Sequence, residues 1–213
     1  MATFLVLIGP PGAGKGTQAS RLAEKLDLAH VSTGEIFREN IRNETELGAR
    51  VKTLLDSGTL VPDDLTIALV RDRLQHPDCR QGAVLDGFPR TPAQAAVLDS
   101  MLAEQGLCVN IVPYISLDDK TVFERLTGRR TDRRTAKTYH LKYDPPPADA
   151  ELEQRPDDRE ETVQHRLDEY YENTAPLLDY YNERGVLQQF DGKLSIEALT
   201  EALMMAVGEQ TVA

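Results

Sequence analysis

Apolar residues fall in short unbroken runs separated by longer amphipathic stretches, and this alternation repeats along the chain. Residues 3–8 form one continuous apolar run, as expected of a parallel strand covered on both faces. Residues 29–32, 83–86, 109–115 and 186–191 read as four further strands. Helical spacing marks residues 17–28, 35–43, 47–56, 63–75, 92–104, 120–126, 161–183 and 196–207. Strands alternating with helices predict an α/β fold: a three-layer core built on a five-stranded parallel sheet. Ligands of such sheets sit beyond the carboxyl ends of the strands, so chemistry is expected directly after them.

Two segments stand outside the alternation. Residues 33–73 carry three helical patterns between the second and third strands. Residues 128–158 are rich in Arg (Arg129, Arg130, Arg133, Arg134) and end in a proline run, Pro145-Pro146-Pro147. A connection of that length is usually functional, often a lid. The alternation in Tyr139-His140-Leu141-Lys142-Tyr143 predicts a small β-rich flap there.

Composition narrows the partners. The chain has 213 residues, 40% of them hydrophobic, enough for one core with a modest insertion. No run approaches the roughly 18 apolar residues that span a bilayer. The first residues lack a basic region and lead straight into a strand, so no secretory leader is expected. Cys79 and Cys108 sit in no motif and read as buried thiols in a reducing cytoplasm. With 35 acidic residues against 24 basic, the net charge of −11 disfavours nucleic acid and anionic membranes as partners. Any anionic ligand must therefore be met by local positive charge.

Such charge follows the first strand. Gly9-Pro10-Pro11-Gly12-Ala13-Gly14-Lys15-Gly16-Thr17 stands between a strand and a helix, the context of a phosphate-binding loop. Its glycines let backbone N–H groups approach an anion, the helix start adds positive potential, and Lys15 reaches the terminal phosphates. The hydroxyl that often follows the Lys comes one residue late, at Thr17. Mg²⁺ is then expected to rest mostly on nucleotide oxygens and water. Ser32-Thr33-Gly34-Glu35 follows the second strand as a helix N-cap, with Arg38 a turn further on. Asp86-Gly87-Phe88-Pro89-Arg90-Thr91 follows the third. There Asp86 can orient Mg²⁺ through water, Arg90 can clamp a phosphate, and Gln94, on the same helical face, can bond a purine edge.

Taken in order, these motifs resemble the adenylate kinases of the nucleoside monophosphate kinase family, together with Gly128-Arg129-Arg130, Asp157-Asp158 and Arg166. The resemblance covers almost the whole chain. It implies a P-loop NTPase-type core (residues 1–31, 62–127 and 159–213), a helical AMP-binding insertion (32–61) and a lid (128–158). It implies ATP + AMP ⇌ 2 ADP with Mg²⁺, in a cytoplasmic monomer. ATP falls to Gly12, Ala13, Gly14, Lys15, Gly16, Thr17, Arg125, Arg129, Thr138, Tyr139 and Leu194. AMP falls to Thr33, Arg38, Thr59, Leu60, Val61, Gly87, Phe88, Arg90, Gln94, Arg155 and Arg166. Lys15, Arg90, Arg125, Arg129, Arg155 and Arg166 surround the moving phosphoryl group. Zinc-bearing relatives carry Cys pairs in the lid; here Asp132 and Thr135 stand at the first pair, so no zinc is expected. The alternatives are a GTP:AMP phosphotransferase or a UMP/CMP kinase. A GTP-binding switch would need an Asn-Lys-x-Asp run, which the chain lacks.

Overall fold

The computed structural model describes the backbone of residues 2–212 and the side chains of residues 2–209. β1 (Thr3–Leu7) runs through the glycine-rich loop into α1 (Lys15–Leu26) and returns along β2 (Ala29–Ser32). α2 (Thr33–Arg42), α3 (Glu46–Ser57), α4 (Asp63–Leu74) and a 3-10 turn (Pro77–Gln81) precede β3 (Gly82–Asp86). α5 (Pro92–Ala103), β4 (Val112–Ser116) and α6 (Asp119–Thr127) lead to short strands β5 (Arg129–Asp132), β6 (Thr138–His140) and β7 (Leu152–Glu153). After a 3-10 turn (Pro156–Asp158) come α7 (Glu160–Glu169), a π turn (Tyr170–Thr174), α8 (Leu177–Asn182), β8 (Leu187–Asp191) and α9 (Ile196–Val212).

Strand alternation builds the layers. Phe4 and Val6 on β1, and Ile8 just after it, join one core cluster, with Leu98 and Leu102 of α5 and Leu177 and Tyr181 of α8. Leu5 and Leu7 join a second, with Ala19 and Leu22 of α1 and Leu199 and Leu203 of α9. Successive side chains point to opposite faces, so one apolar run feeds both cores. Smaller clusters tie α2 to α3 through Phe37 and Val51, and α6 to α7 through Val122, Leu126, Val163 and Leu167.

The strands form a parallel ladder β1-β3-β2 and a parallel pair β4-β8, where the sequence predicts one five-stranded sheet. Two isolated parallel bridges, Leu5 to Ile111 and Ile8 to Tyr114, link the two across β1 and β4. Pro113 interrupts that seam. Its carbonyl accepts from Ile8 N at 3.0 Å, but it has no N–H to return. Register places Leu7 and Ser32 both beside Asp86, so three strands end together.

Other expectations are corrected. The helix expected over 161–183 is broken, because Pro176 has no N–H and its ring crowds the carbonyl of Glu172. The chain widens into the π turn, with Ala175 N donating to Tyr170 O at 2.8 Å. α1 stops before Leu28 because Asp27 takes a left-handed conformation (φ 53°). β5, β6 and β7 form an antiparallel flap, but its strand pattern ends at His140. The His140 ring turns back, and Nδ1 accepts the N–H groups of Lys142 and Tyr143, each at 3.1 Å. Cys79 is buried, whereas Cys108 is exposed.

Candidate active site

The loop after β1 delivers Lys15 as the first residue of α1. Gly14 caps that helix at φ 98°, a conformation glycine enters without steric cost. Among the described residues no side chain caps this end, so its N–H groups remain available to an anion. Lys15 Nζ donates to the carbonyls of Gly9 (2.7 Å) and Pro10 (2.9 Å). Burial pushes its pKa down to about 7; Asp86 pulls it up, while Arg90, Arg166 and Arg129 push it further down. Thr17 is exposed.

Asp86 ends β3 beside the loop. It accepts from Ser32 Oγ at 3.2 Å, and His30 Nε2 stands 4.0 Å away. A Cβ on residue 16 would lie 3.3 Å from Asp86 Oδ2, so Gly16 leaves the carboxylate close to the start of α1. A single carboxylate in a polar, glycine-lined corner fits a Mg²⁺ held through water. Among the described residues, no group of three or more His, Cys, Asp or Glu is placed to hold a metal ion directly.

A cleft of about 570 Å³, open to solvent, lies on the other side of Arg90. Thr33, Arg38, Gly87, Arg90, Gln94 and Arg166 line it, as do the residues Thr59, Leu60 and Val61. Local structure explains their placing. Ser32 caps α2 and accepts from Glu35 N (3.4 Å), while Thr33 Oγ1 donates to Gly87 O (2.9 Å). Arg38 folds back over Gly34, 3.0 Å from where a Cβ would stand. Arg90 precedes α5, so it shares no helical face with Gln94. Instead Gln94 Oε1 accepts from Arg90 N (2.8 Å) and its amide donates to Asp63 (2.7 Å). Thr91, the cap of α5, also donates to Asp63 (3.0 Å). Phe88 packs in the main core instead of facing the cleft.

The cations sense one another. Burial chiefly lowers the pKa of Arg90 and Arg166, and Arg38 responds the same way. Arg90 still opens to cleft water, so its charge persists. Arg155 is pushed down to about 9 by burial and by Arg129 and Arg38. Arg129 is opposed by burial, but Asp158 outweighs that and raises its pKa. Its guanidinium meets the fully buried Asp158 carboxylate twice, at 2.8 and 2.5 Å. Arg166 reaches the same carboxylate at 3.2 Å and that of Asp157 at 3.0 Å.

Of the remaining expected residues, Arg155 borders this cluster and the others make separate contacts. Arg125 is tied to Gly192 O at 2.8 Å. Arg155 donates to Thr131 and to Thr138, at 3.0 and 3.2 Å. Tyr139 carries Lys137 Nζ 4.9 Å from its ring centre, and Leu194 is exposed between β8 and α9. Asp132 accepts from Arg134 N (2.9 Å) and Thr135 Oγ1 (3.1 Å), and Arg134 also approaches Asp149 and Glu151. Sequence reasoning missed Asp63, His165 and Glu169. Each reads as an ordinary polar residue of an amphipathic helix, and only packing shows what it holds.

A glycine-rich strand-to-helix loop whose lysine lines one cleft with Arg90 and Arg166, the arginines that also line the neighbouring cleft, defines an α/β protein that handles nucleotide phosphates. The adenylate kinase family model matches residues 7–186. An adenylate kinase of Acidothermus cellulolyticus is 50% identical over 210 residues, covering 95% of this chain and 97% of that protein. One of Moorella thermoacetica is 49% identical over 96% of this chain and 97% of its own. One of Archaeoglobus fulgidus is 47% identical over 92% and 93%. The chain belongs to the adenylate kinase family and is a phosphotransferase.

Proposed function

We infer that the chain catalyses reversible phosphoryl transfer between ATP and AMP, giving two ADP. One observation carries this reading: Lys15, at the phosphate loop, and Arg38, in the second cleft, flank a single cation cluster containing Arg90, Arg129 and Arg166. An oxygen of the AMP phosphate attacks the γ-phosphorus of ATP. The new O–P bond forms as the bond to the β–γ bridging oxygen breaks, and ADP leaves with that electron pair. The attacking oxygen is already anionic, so positioning and charge stabilisation supply the catalysis. Lys15 leaves its two carbonyls for phosphate oxygens and regains full charge beside them. Arg90, Arg155 and Arg166 hold the acceptor phosphate and the moving group. Arg125 and Arg129 hold the donor chain. Asp86 would hold Mg²⁺ through water, and the metal would neutralise charge on the donor phosphates.

Residues 32–61 form the acceptor insertion and 128–158 the lid, both moving on a core of residues 1–31, 62–127 and 159–213. Lid closure is expected to exclude water and to bring Thr138, Tyr139 and Leu194 to the donor base. The five strands act together as the rigid base for these motions. The chain is expected to work as a monomer. The two unpaired thiols support a reducing compartment such as the cytoplasm. The deciding experiment measures ADP formation from ATP or GTP against AMP, GMP, CMP and UMP. Preference for an acceptor other than AMP overturns the reading.

A further inference from the structure

α7 has two working faces. Val163 and Leu167 are buried against α6. Thr162, His165, Arg166 and Glu169, at one-face helical spacing, meet the end of α3. α3 stops in a Schellman motif, with Gly58 N donating to Leu55 O (3.1 Å) and Thr59 N to Leu54 O (3.0 Å). Gly58 has φ 80°, and a Cβ there would lie 2.5 Å from Arg166 Cγ and 3.2 Å from Thr162 Cγ2. Only glycine satisfies both the turn and this contact.

Two polar contacts then fix the following residues. Glu169 Oε2 accepts from Leu60 N at 3.4 Å. Thr59 Oγ1 lies 3.1 Å from both His165 Nε2 and Ser57 Oγ. Counting hydrogens orders this chain. Leu54 O has no hydrogen to give, so its 3.0 Å contact with Ser57 Oγ uses the hydrogen of Ser57. Thr59 must then donate to Ser57, and His165 Nε2–H must donate to Thr59. The imidazole is thus anchored through two hydroxyls to a carbonyl at the end of α3.

We propose that His165 and Glu169 are positioning residues. They hold the 58–61 backbone on α7, so that one helix fixes both the acceptor-base segment and the Arg166 phosphate clamp. The proposal rests on the acceptor cleft assigned above. The consequence is selective: loosening the segment weakens acceptor binding while the donor site and the chemistry stay intact.

The test compares steady-state constants for the purified wild-type chain and for Glu169→Leu, Glu169→Gln, His165→Ala and His165→Gln. The acceptor is whichever nucleotide the wild type prefers. A failure of the AMP assignment therefore shows in the wild type, separately from the variants. Glu169→Leu and His165→Ala are each expected to raise the acceptor KM about tenfold, with kcat and the donor KM within about twofold. The Gln variants keep an acceptor or a donor at the right place and are expected to recover most of the loss. Equal rises in both KM values, a fall in kcat alone, unchanged constants, or Gln variants as impaired as the others would each overturn the proposal. Where Glu169→Leu or His165→Ala fails to fold, thermal melts identify it, and Glu169→Ala or Thr59→Val, which remove the same contacts, carry the same expected rise in acceptor KM.

Discussion

Lys15 gives its hydrogens to two loop carbonyls while burial holds its pKa near 7. An anion at the loop reverses that depression, so triphosphate binding above pH 7 takes up a proton. Calorimetric titration at pH 8 in buffers of different ionisation enthalpy is expected to show uptake approaching one proton, fading towards pH 6. The same shift sets a folding trend. Unfolded lysine titrates near 10.4, so between pH of about 7 and 10 the unfolded chain binds more protons, and this group's contribution to stability rises with pH. Lys15→Met is expected to abolish both proton uptake and that trend. Arg90 acts at the same scale. Arg90→Ala is expected to lower kcat/KM by roughly 10²–10⁴ through loss of a phosphate clamp. Wild-type turnover in the purified variant would remove Arg90 from the machinery.

Helix ends decide how the elements meet. Thr91 caps α5, Asp63 opens α4, and the two are joined through the carboxylate that also holds Gln94. Asp63→Ala would leave the buried Gln94 amide and the Thr91 hydroxyl without that partner. Urea unfolding is expected to show a loss of about 1–3 kcal/mol, and the acceptor KM is expected to rise as Gln94 loosens. One cap was legible, Ser32 before α2, whereas Thr91 reads as part of the turn after β3 and shows as a cap only in the structure. The function of Asp63 was not legible, because an acidic first turn looks alike whether it faces solvent or a neighbouring helix. Pro176 and Pro113 fall inside stretches that apolar spacing reads as an unbroken helix and an unbroken strand. Their outcomes, a π turn and a divided sheet, depended on which neighbour the missing N–H faced.

Across the molecule, one carboxylate joins the 128–158 segment to α7. Asp158 is fully buried and serves both Arg129 and Arg166. Asp158→Ala would strand two largely buried cations, and denaturant unfolding is expected to show a loss of about 3–5 kcal/mol, with activity falling in parallel. Asp157 adds acid sensitivity. Burial alone would raise its pKa, but Arg166, Arg129, Arg38 and Arg155 outweigh burial and hold it below the ordinary value. Its stabilisation is therefore present above pH of about 4 and is lost as pH falls through its lower folded pKa. Asp157→Asn is expected to flatten the acid limb of the stability profile. The sequence by itself determined the strand and helix order of the core, the phosphate loop and the Ser32 cap of α2. Those follow from short-range rules: apolar periodicity, caps, and glycines before a lysine. Only the tertiary structure decided that His165 and Glu169 hold the 58–61 backbone, that Asp158 bridges two arginines, and that Arg125 lies outside the cation cluster. Each of these depends on contacts between residues far apart in the chain, for which local pattern carries no signal.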